Sequence, residues 1–286
     1  SCNAATGDFT SRPGADYRLL PDMHHPIRLL TVLLLLSVPA AVRAADSTLP
    51  PTVDLRPQFE SWGLAARQQG NRPTCSAFTV TVALEYAVAK QNGSGKRFSV
   101  EYLNWAANQE AGDTDDGAFF SDLWKGFAKH GVCAEEAMPY QEKFKPTEPP
   151  GATAMADARE HPLPGMEIHW IKEWDVNTGL TIPQLTSIRQ NLHAGWPVCG
   201  GFRWPHNAQW VDGILQMCAS NTVYDGHSVL LVGYRDDAQQ PGGGVFHFRN
   251  TAKDGRDGAM PYAYAMMFMN DAVWVGSDPK KPGQTP

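Results

Sequence analysis

Gln68-Gln69-Gly70-Asn71-Arg72-Pro73-Thr74-Cys75-Ser76-Ala77-Phe78 sets a cysteine at the point where a Gly- and Pro-containing turn gives way to an apolar run. From Ser76 to Lys90 apolar side chains recur at Phe78, Val82, Tyr86 and Ala89, about one per helical turn, and Gly93 stands as a stop. This spacing predicts a buried helix with Cys75 at its start. Unpaired backbone N–H groups and the macrodipole favour an anion there, so the Cys75 thiol is expected to move toward the thiolate. The Gln69 amide and the Cys75 backbone N–H are placed to point together at the oxygen of a tetrahedral intermediate. Taken alone, a cysteine in this position reads as a structural residue of the core.

Working outward, helical patterns are expected over Ser99–Asn108 and Phe120–Lys129, the latter ended by Gly131. Between Tyr140 and Pro164, prolines at 146, 149, 150, 162 and 164 predict a surface excursion without a lasting regular element. Beyond it, short strand-like runs cover Ile168–Trp170, Val198–Trp204, Ser228–Tyr234, Val245–Asn250 and Ala272–Val275, with one helix near Gln184–Ala194. The division expected is a helical half, 45–164, carrying the cysteine, and a β-rich half, 165–276, with a flexible tail over 277–286.

Two further motifs lie in the β-rich half. Asp225-Gly226-His227-Ser228-Val229-Leu230-Leu231-Val232-Gly233-Tyr234 leads a histidine, bracketed by glycines, into a buried strand. Val245-Phe246-His247-Phe248-Arg249-Asn250-Thr251 is a second strand ending in an asparagine able to accept a hydrogen bond from imidazole and fix its tautomer. Separately, a core histidine and a turn asparagine are the plainer readings. The order Cys, His, Asn, with His227 at 152 residues beyond Cys75, agrees with a nucleophile whose partners lie roughly 130–150 residues downstream.

These residues resemble the papain-like cysteine peptidases. Val53-Asp54-Leu55-Arg56 is similar to the start of that family's mature domain, QQGNRPTCSAF to its oxyanion-glutamine and nucleophile motif, and GHSVLLVGY and FHFRN to its histidine and asparagine strands. Gly131-Val132-Cys133-Ala134-Glu135-Glu136-Ala137-Met138-Pro139-Tyr140 and Gly258-Ala259-Met260-Pro261-Tyr262 are similar to segments of its bacterial branch. The resemblance, over about Pro51–Val275, implies a two-domain α+β fold, with a helical N-terminal half, an antiparallel β-barrel-like C-terminal half, and the active-site cleft between them. It implies a thiol peptidase with catalytic Cys75, His227, Asn250 and Gln69. Asp116, Gly117, Phe119 and Gly226 are the expected substrate contacts, with Phe119 and Phe120 near the pocket for the residue preceding the scissile one.

The sequence also departs from that family. Ser76 replaces the tryptophan that usually follows the nucleophile, and Asn250-Thr251-Ala252-Lys253 replaces Asn-Ser-Trp-Gly, so the indole that shields the His–Asn bond is missing at that place, with Trp204, Trp210 and Phe248 as the candidate rings to cover the bond instead. Arg72 stands where a disulfide cysteine is common, so that bridge cannot form. No long inhibitory pro-segment separates Ala45 from Val53. Two other readings remain open: a catalytically silent homologue that binds peptides or a protein partner in the cleft, and a cysteine-dependent amidase or transpeptidase acting on cell-wall peptides.

Composition limits the remaining classes. The chain has 286 residues, 42% of them apolar, and a formal net charge of -6, so it can bury a core without staples and presents no basic stripe for nucleic acid. Its nine histidines form no HxxxH pair and its cysteines no CxxC, so neither metal nor cofactor is expected. The expected partners are peptide or protein substrates, with a proteinaceous inhibitor as a further one. Arg28 precedes an apolar run over Leu29–Val38, then Pro39 and small residues to Ala45, the layout of a secretory signal over 23–44. That run falls short of the roughly 20 residues of a spanning helix, so cleavage rather than a lasting anchor is expected, giving a periplasmic or secreted protein. Residues 1–22 read as an extension preceding a start at Met23. Of the cysteines that remain, Cys75, Cys133, Cys199 and Cys218, export permits one or two disulfides; Cys199 and Cys218 read as buried free thiols.

Overall fold

The computed structural model describes residues 49–146, 148–160, 163–252 and 257–277. The segments read as upstream extension, secretory signal and tail beyond Ser277 lie outside the described residues.

The described part begins with β1 (Thr52–Asp54) and α1 (Arg56–Ser61), then the 18-residue helix α2 (Cys75–Asn92). Every residue from Ala77 to Ala89 is buried, because α2 is covered on one side by helices and on the other by a sheet; a helix apolar on all faces is a core helix. Helices α3 (Val100–Ala111) and α4 (Phe120–His130) complete this layer. Ser99 caps α3 by accepting from the Tyr102 N–H at 2.9 Å, and Gly112 closes it in the left-handed region at φ 72°. The proline-rich excursion does hold a regular element, contrary to the sequence expectation: α5 (Ala152–Glu160) runs clear of the prolines and buries Ala154 and Ala158, one turn apart, against Tyr102 and Cys133.

The second part contributes β2 (Met166–Lys172), α6 (Ile182–His193), β3 (Val198–Pro205), β4 (Trp210–Val211), β5 (Ile214–Leu215), β6 (Val223–Asp236), β7 (Gly244–Arg249), β8 (Asp257–Pro261), α7 (Tyr262–Phe268) and β9 (Met269–Ser277). The strands join one nine-stranded sheet in the order β2-β9-β3-β6-β7-β8-β5-β4, with β1 added to β6. The fold is therefore mixed α+β, but the sheet is open where a barrel-like closure was expected. Its terminal strands β2 and β4 pair with different partners, and the β5–β8 contact is parallel. Along β6 the side chains alternate between two cores. Leu230 and Val232 face α2, with Cys199, Val273 and Val275, while Val229 and Leu231 face Phe202, Phe246 and Phe248 under α6 and α7.

Candidate active site

Cys75 is the first residue of α2 and is buried. No side chain caps this helix end: the Thr74 hydroxyl is instead paired with Tyr140 Oη at 2.7 Å. The Cys75 Sγ approaches the Gly226 carbonyl at 3.8 Å, which sets the thiol beside the residue preceding His227. Sequence positions 151 apart thus meet across the junction of helix and sheet.

His227 is aimed by a bulge. On β6 it pairs with Phe202 of β3, but the next pair is Asp225 with Arg203, leaving Gly226 as the extra residue. Gly226 takes φ 98°, a conformation an L side chain rarely adopts, and such bulges re-aim the neighbouring side chain. His227 Nε2 lies 3.1 Å from Asn250 Oδ1, which also accepts from the Ala252 N–H at 3.1 Å. Trp204 packs on the imidazole, its ring meeting His227 edge to face at 4.6 Å. The indole absent after Asn250 is supplied from β3, and Trp210 and Phe248 stand behind it against Trp204.

Gln69 is held on three sides. Its backbone N–H donates to the Thr251 carbonyl at 2.7 Å, its Oε1 accepts from Thr251 Oγ1 at 2.9 Å, and its Nε2 donates to the Arg72 carbonyl at 2.7 Å. An amide nitrogen has two N–H groups, so this last bond orients the amide and leaves a second donor on the same atom. Tyr140, for which its motif predicts no role, donates to the Gln69 carbonyl at 3.0 Å. The tyrosine thus ties the glutamine loop to the residue preceding Cys75.

Arg72 fills the place of the absent disulfide cysteine with an ionic staple. It is 5% exposed and reaches Asp116 through Nε and Nη2 at 2.9 and 2.8 Å, Glu101 through Nη1 at 2.6 Å, and the Gln141 carbonyl at 2.7 Å. Its guanidinium also lies over the Tyr140 ring at 4.5 Å. The Asp116 carboxylate is therefore turned inward to Arg72. Gly117 donates to Asn104 Oδ1 at 2.9 Å and takes φ 102°; a side chain there would strike the Pro73 carbonyl. Ser76 Oγ accepts from the Ala118 N–H at 3.3 Å, so the serine in the tryptophan's usual place links α2 to this loop. Phe119 stands at the N-cap of α4, 56% exposed, while Phe120 is buried in the core.

Among the described residues no disulfide joins Cys75, Cys133, Cys199 or Cys218. Burial pushes the Cys133 thiol up to about 11, with Ser99 pulling the other way, and burial raises the Cys199 thiol further still. Both shifts favour the thiol over the reactive thiolate. Cys218 is half-buried rather than buried. Among the described residues no group of three His, Cys, Asp or Glu side chains is placed to hold a metal ion. Nor does any described helix have the length and apolarity to cross a membrane.

Cysteine peptidases are the class in which a helix-borne thiol set against a strand-borne histidine and asparagine is expected. Comparison with protein families places the chain there: the family described as papain family cysteine protease matches residues 49–252, and the chain belongs to that family. Solved structures similar to it include xylellain, a cysteine protease from Xylella fastidiosa, at 24% identity and TM-score 0.63, covering 83% of this chain and 89% of that one. A digestive procathepsin L 3 of Tenebrio molitor larval midgut is similar at 19% identity and TM-score 0.58 over 81% and 72% of the two chains. The ragweed pollen allergen Amb a 11, a cysteine protease in its proform, is similar at 19% and 0.59 over 82% and 68%. No curated protein matches the chain.

Proposed function

We propose that this cysteine peptidase hydrolyses peptide bonds through Cys75, His227 and Asn250, with Gln69 and the Cys75 N–H as oxyanion donors. The observation that carries the reading is the approach of Cys75 Sγ to the Gly226 carbonyl beside an imidazole held by Asn250 at 3.1 Å. In this mechanism the Cys75 thiolate attacks the scissile carbonyl, forming the C–S bond while the carbonyl oxygen takes the negative charge. Protonated His227 passes its proton to the leaving amine as the C–N bond breaks. Water, deprotonated by the now neutral His227, then hydrolyses the thioester and returns the thiol. Each oxyanion donor is worth roughly 3 kcal/mol of barrier. The apolar run and small residues of 23–45 support export, with removal of 23–44 and action in the periplasm or outside the cell. N-terminal sequencing of the native protein would contradict this if it began before Ala45.

The decisive measurement treats the purified protein with an epoxide thiol-protease label and maps the adduct. One adduct per chain on Cys75, lost in Cys75→Ala and strongly slowed in His227→Ala, is expected. A Cys75 that reacts no faster than a free thiol favours instead the silent homologue that only binds peptides in its cleft.

A further inference from the structure

A single oxygen touches both flanks of the nucleophile motif. Tyr140 Oη lies 3.0 Å from the Gln69 carbonyl and 2.7 Å from Thr74 Oγ1. A carbonyl only accepts and a phenol carries one proton, so that proton goes to Gln69 and the Thr74 hydroxyl donates to the phenol. Burial pushes the Tyr140 phenol up to about 12, which keeps the proton in place at neutral pH. One side chain thereby spans the residue that offers the oxyanion amide and the residue next to Cys75.

The phenol is itself held in place. The Tyr140 backbone N–H donates to Glu135 Oε1 at 3.0 Å, its ring meets Phe78 of α2 edge to face at 4.8 Å, and the Arg72 guanidinium lies over the ring at 4.5 Å. Gln69 by contrast leans on the histidine wall, because its backbone N–H and its Oε1 are both bonded to Thr251, the residue after Asn250. Its Nε2 bond to the Arg72 carbonyl stays within its own loop. Tyr140 refers the same glutamine to the cysteine helix.

The bond to Thr74 replaces a helix cap. A threonine preceding the first turn ordinarily accepts from an N–H of that turn. Here no side chain caps α2, and Thr74 has φ -95° and ψ 20° instead of the extended backbone from which such a cap reaches back. A hydroxyl withdrawn from a stabilising cap and turned to a distant phenol serves placement more than stability. It also leaves the positive end of α2 without a capping oxygen beside Cys75, where negative charge develops. Resting on the peptidase reading above, we propose that Tyr140 is a positioning residue of the oxyanion site, its phenol setting the separation between the Gln69 amide and the Cys75 N–H so that both donors meet one oxygen.

Tyr140→Phe tests this, because it keeps the ring against Phe78 and Arg72 and removes the hydroxyl alone. Removing an oxyanion donor costs roughly 10²–10³ in kcat and displacing one costs less, so kcat on a fluorogenic peptide is expected to fall about tenfold or more with KM held within about twofold. A reversible peptide aldehyde, whose adduct with Cys75 puts its oxygen among the same donors, should lose affinity by a similar factor. Alkylation of Cys75 by iodoacetamide forms no oxyanion and should keep its rate within about twofold. Thr74→Val should give a smaller fall in kcat, and adding it to Tyr140→Phe should lose nothing further, since the phenol already carries that bond. An unchanged kcat, an alkylation rate that falls with kcat, or fully additive losses overturn the assignment. If Tyr140→Phe does not fold, Thr74→Val carries the test on kcat and alkylation. Should the wild-type protein cleave no peptide and Cys75 not be labelled, the peptidase reading fails and hydrogen exchange decides the tie. The Gln69 amide, bonded to Thr251, is then expected to exchange about tenfold faster in Tyr140→Phe, and an unchanged rate overturns it.

Discussion

The two walls of the site are held by different forces. Around Cys75 the loops are fixed by buried charge: Arg72 clamps Glu101 and Asp116, and a few residues on, fully buried Glu85 takes Arg67 at 3.0 Å, Arg97 at 2.9 Å and the Phe98 N–H at 2.9 Å. Around His227 the structure is a strand ladder packed with rings, from Trp204 through Phe248 and Tyr264. The first wall consists of loops that lack a ladder of their own, and directional bonds must define them. The second has its backbone satisfied by the sheet and needs only packing to set a side chain. The cysteine wall is thus sensitive to the loss of one partner, whereas the histidine wall is sensitive to loss of volume.

The largest effect is expected from Arg72→Ala. It strands two carboxylates in the interior and should lower stability by about 3–5 kcal/mol, read as a fall in the urea midpoint at constant slope. The triple change Arg72→Met, Glu101→Gln, Asp116→Asn removes the charges together and should recover most of that loss. A single change as mild as the triple one would show that the staple is ornamental and break the contrast. On the other wall Trp204→Ala, which opens a cavity over the imidazole, should cost about 3 kcal/mol and slow epoxide labelling of Cys75, with Trp204→Phe restoring most of both. If Phe restores stability but not labelling, the indole does more than fill space.

The smallest effect sharpens the point by titrating the apolar side. His247, on β7, has its imidazole held below the ordinary value of 6.5, first by burial and then by Arg56, with Asp54 opposing. The unfolded chain therefore takes up this proton before the folded one does. The contribution is complete above pH 6.5 and is lost as pH falls through the lowered folded value. His247→Gln should narrow the difference in urea midpoint between pH 7.5 and 5.5; an unchanged difference would place the acid sensitivity elsewhere.

Most of the elements were legible because each carries its own periodicity. The helix starting at Cys75, the strands at Val198 and Ser228 and the capped helix at Ser99 all emerged within a few residues of their predicted bounds. Helix α5 was hidden by the prolines around it, and α7 by the strand-like composition of its neighbours. The open sheet escaped notice because closure depends on how the end strands meet, which no local pattern records.

The order cysteine, histidine, asparagine, the glutamine loop and the alternation of core helix with buried strands are readable from residue order alone, since these rest on residue type and short-range spacing. It takes the folded chain to reveal that Arg72 stands in a buried ion pair, that Trp204 packs on the histidine, that Tyr140 spans the glutamine and the residue before the cysteine, and that Asp271 lines a cavity with four aromatic rings. Each of these joins residues tens of positions apart, and such contacts follow from packing two layers and from strand register and its bulges, which one-dimensional spacing does not encode.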